Sequence, residues 1–110
     1  HEFIGFVGLS PVGEDMPCGP TVEIFWRIGT KYWGKGYASE AAQAVVDHAF
    51  NTLGLNELVS FTTTTNKRSE KLMQRLGFTR SEQDDFDHPK IAEGHVLRRH
   101  VFYRKLNPNI

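Results

Sequence analysis

Between residues 22 and 54 the chain passes from an alternation of two to a recurrence of three and four, through a pair of glycines, and few folds accept that passage. Val22, Ile24, Trp26 and Ile28 alternate with Glu23, Phe25 and Arg27, the pattern of a strand with an inside and an outside. After Tyr32-Trp33-Gly34-Lys35-Gly36-Tyr37 comes a second pattern: Ala38, Ala42, Val45, Val46, Ala49, Phe50 and Leu53 form one apolar stripe of a helix, and Gly54 stands where a C′ glycine ends it. The first turn of such a helix leaves backbone N–H groups without partners, and the aligned peptide dipoles add partial positive charge there. Gly34 and Gly36 lack a Cβ, so an anion can come close to the backbone. Strand, glycine turn and helix mouth are together a seat for phosphate; a tight turn without a ligand gives the same pattern. Two phosphate loops are excluded. No Gly-Lys-Ser/Thr follows at P-loop spacing, and a dinucleotide fingerprint would need a third glycine where Ser39 stands, with an acidic residue about twenty positions on.

The chain's 110 residues suffice for one domain with one core. Its 13 basic and 13 acidic side chains cancel, which argues against broad binding to nucleic acid or a membrane surface. Cys18 is the single cysteine, so no intrachain disulfide forms, as expected of a cytoplasmic protein. His88, His95 and His100, with Asp85 and Asp87, match no standard zinc spacing, so no metal is expected.

The rest of the chain adds four strands and a helix. Residues 3–9 are apolar and β-prone, and residues 10–20, with three prolines and two glycines, form a loop. Residues 58–65, LVSFTTTT, are rich in β-branched and aromatic side chains and read as a strand with a polar end. Asn66 caps a short helix carrying Leu72, Met73 and Leu76, which Gly77 stops. Phe78 opens a short strand, residues 84–89 read as a polar turn, and residues 95–105 form the last strand. The order strand, strand, helix, strand, helix, strand, strand defines an α/β (α+β) domain with one mixed sheet. Its unit from residue 22 to 65 is expected to be a right-handed parallel crossover.

In this order VEIFWRI, WGKGYASEAAQAVVDHAF, Asn66-x-x-Ser69 leading to Leu76-Gly77-Phe78, and GHVLRRHVFYRKL resemble the GNAT superfamily of acetyl-CoA-dependent N-acetyltransferases. The likeness is to the branch that includes ribosomal-protein N-terminal acetyltransferases. It implies a mixed, mostly antiparallel sheet with a central pair of parallel strands that splay apart. It makes residues 1–110 the C-terminal portion of one such domain, with the N-terminal strand and helices before residue 1. It places coenzyme A on the backbone of Trp33, Gly34, Lys35, Gly36, Tyr37, Ala38 and Ser39, and the pantetheine arm along Arg27, Ile28 and Gly29. Asn66 is expected to hold the pantetheine, and Lys71, with Lys67 and Arg68, to meet cofactor phosphates. The family's Gln or Arg three residues before its first glycine is here Lys31 or Trp33, a departure of small weight where main-chain amides do the binding.

The resemblance further implies direct attack of an amine on the thioester of acetyl-CoA. Glu23 matches the family's general-base position, and a carboxylate half-buried beside Phe25 has reason to hold its proton near neutral pH; a solvated or salt-bridged strand glutamate is the alternative. Where many members place a tyrosine to protonate the leaving thiolate stands Met73, and Ser69, one turn earlier, is the substitute. Ser69 and Asn66 also read as an ordinary first-turn residue and a helix cap. The acceptor is a small-molecule or peptide amine, with a homodimer left open. A module that holds coenzyme A or acyl-CoA without turnover is the alternative function.

Overall fold

A computed structural model describes residues 5–17, 19–29, 32 and 36–109. Among the described residues six strands form one sheet: β1 (Gly5–Val12), β2 (Thr21–Ile28), β3 (Glu57–Thr63), β4 (Thr79–Arg80), β5 (Phe86–Asp87) and β6 (Arg99–Leu106). Helix α1 (Tyr37–Asp47) runs into a wider turn (His48–Thr52), and α2 is Lys67–Arg75. The strand order is β1-β2-β3-β6-β4, with β5 also on β6. β1 and β2 form a long antiparallel hairpin, from Val12 opposite Thr21 to Gly5 opposite Ile28. β3 and β6 are antiparallel from Glu57 opposite Leu106 to Thr63 opposite His100. The parallel seam between β2 and β3 joins the two halves, and among the described residues only Glu23 and Val59 pair across it.

The two faces of the sheet hold different cores. Ile24, Leu58, Val101 and Tyr103 point to one face, where Ala38, Ala42, Val46, Ala49 and Phe50 of the first helix and Leu72, Met73 and Leu76 of the second cover them. Val22, Trp26 and Ile28 pack against that core, as their alternation predicts. The other face carries Val59, Phe86 and Phe102, with Met16 and Phe61 beside them. Glu23 belongs to this second face by strand parity, two positions before Phe25.

Three departures from the sequence reading have physical causes. The turn at residues 84–89 contains a strand, because Phe86 is buried and pairs with His100 while Asp87 faces outward and pairs with Arg99. The last strand begins at Arg99 rather than residue 95, leaving Val96 73% exposed. The end of the first helix widens, with Leu53 N–H reaching His48 C=O, so Leu53 turns out of the stripe to 52% exposure. Asn107 Nδ2 closes that end by donating to the carbonyls of Phe50 (3.2 Å) and Leu55 (2.8 Å). Among the described residues no helix is long and apolar enough to cross a membrane.

Candidate active site

The mouth of α1 is open. Gly36 is its N-cap at φ 84°, a left-handed conformation that glycine adopts without penalty, and nothing lies within 4 Å of where a Cβ would stand. The first intrahelical bond is Glu40 N–H to Gly36 C=O (3.0 Å). The amides of Tyr37, Ala38 and Ser39 therefore have no acceptor within the helix. A cleft of about 280 Å³ opens on Gly36, Ala38 and Ser39 and is walled by Arg68, Lys71, Leu72 and Arg75 of α2. Arg75 Nη1 donates to Ser39 Oγ at 3.2 Å, tying the second helix to the mouth of the first. Open amides, a helix dipole and three cations make this a place for an anion. Lys71 lies in that wall as expected. Lys67 instead pairs with Glu70 at 3.1 Å. Arg75 was not singled out from sequence, because its place depends on how α2 lies against α1. Trp33, Gly34 and Lys35 lie outside the described residues.

The second part of the site is the seam between β2 and β3. Both strands run on past Glu23 and Val59, each paired on its outer side, yet they do not pair with each other again. Thr64 N–H bonds Arg99 C=O, so even-numbered residues of this strand turn their backbone toward β6 and odd-numbered ones toward β2. On the other bank, Ile24 C=O accepts a bond from Ser60 Oγ (3.1 Å) across the seam, so the even-numbered residues of β2 face β3. The backbone groups that look into the gap are then those of Trp26, Ile28, Phe61 and Thr63, the last with its C=O taken by Asn66 N–H (3.1 Å). This refines the expectation for the pantetheine arm. Ile28 faces the gap, whereas Arg27 turns its backbone to Phe6 of β1 and Gly29 C=O is held by Tyr32 N–H (2.9 Å). Trp26 was missed because strand parity relative to a gap cannot be read before the pairing is known.

Glu23 stands at the apex of the gap, half-buried, and burial pushes its carboxyl from 4.5 up to about 7. Among the described residues no charged partner contributes to that shift; it is the cost of removing the carboxylate from water. Ser69 is 7% exposed and lies on the opposite face, where Trp26 Nε1 donates to its Oγ at 3.2 Å. Ser69 Oγ accepts in that bond, and its own O–H has no acceptor among the described residues. Asn66 accepts Ser69 N–H at 3.2 Å, so it is the helix cap the sequence suggested. Met73, 1% exposed, is part of the core.

Several polar groups of β5, β6 and the turn before them are engaged in structure. His100 stacks on Phe86 (centroids 5.5 Å apart, interplanar angle 23°) and lies 5.1 Å from the His88 ring. Asp85 binds Arg80 (2.6 Å) and accepts Phe102 N–H. Arg99 meets Asp87 at 3.5 Å, and Arg104 meets Glu57 at 3.1 Å. Among the described residues no three or more His, Cys, Asp or Glu side chains gather as metal ligands.

An opened parallel seam ending beside a helix mouth is the architecture of acyl-CoA N-acyltransferases. The chain matches the Acetyltransferase (GNAT) domain family over residues 1–79, and it belongs to that family. It is 35% identical over 120 aligned residues to the FsC-acetyl coenzyme A-N(2)-transacetylase of Aspergillus fumigatus, covering 99% of this chain and 51% of that protein. It is 35% identical over 77 residues to the uncharacterized N-acetyltransferase p20 of Bacillus licheniformis, 70% of this chain and 42% of that one. The chain thus spans about half the length of these curated relatives. Among solved structures, a GNAT-family acetyltransferase from Bacillus anthracis superposes with a TM-score of 0.76 at 28% identity, over 94% of this chain and 58% of that one. The ribosomal-protein-S5-alanine acetyltransferase of Vibrio fischeri shares the fold, with a TM-score of 0.79 at 21% identity over 99% and 57% of the two chains.

Proposed function

We propose that this chain carries the acyl-donor site of an N-acetyltransferase that moves an acetyl group from acetyl-CoA to a primary amine within a ternary complex. One observation carries the reading: the unpaired stretch of the β2–β3 seam opens at the same end of the sheet as the amides of Tyr37, Ala38 and Ser39 and the cations of α2. A pantetheine arm needs main-chain partners along its length, and a diphosphate needs clustered N–H donors and positive charge. The gap offers the first and the cleft the second. Acetyl-CoA itself supplies the activated thioester carbon.

In this reading the seam holds the thioester while Glu23 takes a proton from the acceptor ammonium through water. The neutral amine then attacks the thioester carbon to give a tetrahedral intermediate, and its collapse breaks the C–S bond. The proton lost from the new ammonium nitrogen passes to the departing sulfur to give free CoA thiol, and the Ser69 O–H steadies that sulfur with a hydrogen bond. A base poised near 7 matches neutral operating pH, because it is partly free to accept a proton and strong enough to do so. Holding the two reactants in one gap supplies much of the remaining acceleration. Relatives and neighbours whose names specify an acceptor include an N(2)-transacetylase, a ribosomal-protein-S5-alanine acetyltransferase and a spermidine N-acetyltransferase. All act on amines of different kinds, so the proposal stops at the amine.

Met73 supports a second reading. A buried thioether stands where family members place a proton donor, as would suit a module that binds acyl-CoA without turnover. Thiol release separates the two. The intact protein is expected to liberate free CoA from acetyl-CoA with at least one amine of a broad panel, and Glu23→Gln to lower kcat about 100-fold, the lower range for a general base. Tight acetyl-CoA binding with no thiol release across the panel, and no effect of Glu23→Gln, would establish the binding module instead.

A further inference from the structure

The strands on either side of the gap are each well paired on their far sides, so something local must stop them from closing on one another. In a continuing parallel ladder the rung after Glu23–Val59 would run from Phe61 N–H to Ile24 C=O, followed by Trp26 N–H to Phe61 C=O. The first of those acceptors is already taken. Ser60 Oγ, in a side chain 2% exposed, reaches across the seam and donates to Ile24 C=O at 3.1 Å. Ser60 keeps its own backbone toward β6, opposite Tyr103, so the hydroxyl is an addition to the ladder rather than a part of it. A buried carbonyl must have a donor, and here a side chain supplies it one residue early.

We infer that Ser60 is the positioning residue of the site: its hydroxyl occupies the Ile24 carbonyl, ends the β2–β3 ladder there, and leaves Phe61 and Trp26 backbone groups facing the gap for the acyl donor. The inference rests on the acetyl-CoA reading above. Ser60 does not touch the reacting atoms; it acts through the spacing of the strands. With the hydroxyl gone, Ile24 C=O is an orphan beside Phe61 N–H, and the seam has reason to extend by one rung at the expense of the gap.

The test is amide hydrogen exchange at Phe61 together with acetyl-CoA titration, on the intact protein and on Ser60→Ala and Ser60→Thr. In the ligand-free native protein the Phe61 amide should exchange much faster than those of Leu58, Ser60 and Thr62, which face β6. Ser60→Ala should slow Phe61 exchange and weaken acetyl-CoA binding, each about tenfold, the scale of one hydrogen bond gained or lost. Ser60→Thr, which keeps the hydroxyl, should restore both. If the alanine variant does not fold, Ser60→Cys keeps the shape with only a weak donor and should move both readouts in the same direction. A Phe61 amide already protected in the native protein would overturn the inference, as would, in a protein that binds acetyl-CoA, Ser60→Ala shifting only one readout or neither. Should the native protein bind no acetyl-CoA while Phe61 exchange still responds, the wedge stands and the functional reading falls.

Discussion

Glu23 is where residue-scale physics bears most on function. Its folded carboxyl titrates near 7 against 4.5 when free, because the folded chain withdraws it from water. The folded state then holds a proton that the unfolded state has released across that interval, so the contribution to stability is full below about 4.5 and is lost as pH rises through 7. Two consequences follow in opposite directions. Activity on a neutral-pH amine should rise as pH passes 7 and the base is freed, while wild-type stability should fall over the same range. Glu23→Gln should flatten the stability slope and, at pH 8, gain on the order of 1 kcal/mol, the full shift being discounted for partial exposure. Chemical denaturation at pH 5 and pH 8 measures this; equal slopes for the two proteins would contradict it. The place of Glu23 on the less apolar face of an alternating strand was legible in the sequence, whereas its role as base is implied by the resemblance alone. The hydrogen bond from Trp26 to Ser69 was not, since it depends on how α2 docks under β2.

At the scale of elements, strong periodicity was readable and short or borrowed structure was not. The strand of residues 22–28, the helix beginning at Tyr37 and the cap at Asn66 all stand where alternation, stripe and capping chemistry put them. β5 escaped notice because two residues carry no period, and Phe86 is buried by its partner strand rather than by its own segment. The widened turn at His48–Thr52 escaped because one inserted residue changes which side chain faces inward without changing composition. Gly36 gives a prediction at this scale. Its φ of 84° is unfavourable for any L side chain although space is open around it, so the penalty of substitution is conformational alone. Gly36→Ala should cost about 1 kcal/mol and Gly36→Val more, and both should loosen acetyl-CoA binding by moving the amides of Tyr37 to Ser39. Thermal melts and ligand titration of the two variants check this. A neutral Gly36→Val would show that the left-handed cap is not needed.

Over the whole molecule the parts form a sheet cut almost in two. The β1–β2 hairpin and the β3–β6 ladder are each extensive, and the seam between them is a single backbone pair reinforced by a shared core under α1 and α2. That arrangement lets one domain present unpaired backbone in the middle of its sheet. It also sets charge where it is useful. The chain as a whole is neutral, yet Arg68, Lys71 and Arg75 converge on the mouth of α1. The net charge gives no sign of this cleft; Arg68 and Lys71 were expected near cofactor phosphates from the sequence, and Arg75 joins them through the docking of the two helices. The most direct test of the central claim is a calorimetric titration of acetyl-CoA into the intact protein and into its Lys71→Ala/Arg75→Ala variant at low and high salt. The account predicts saturable binding that weakens with salt, and a variant bound at least tenfold more weakly at low salt. No binding by the native protein, or equal binding by the variant at both salt concentrations, would contradict it.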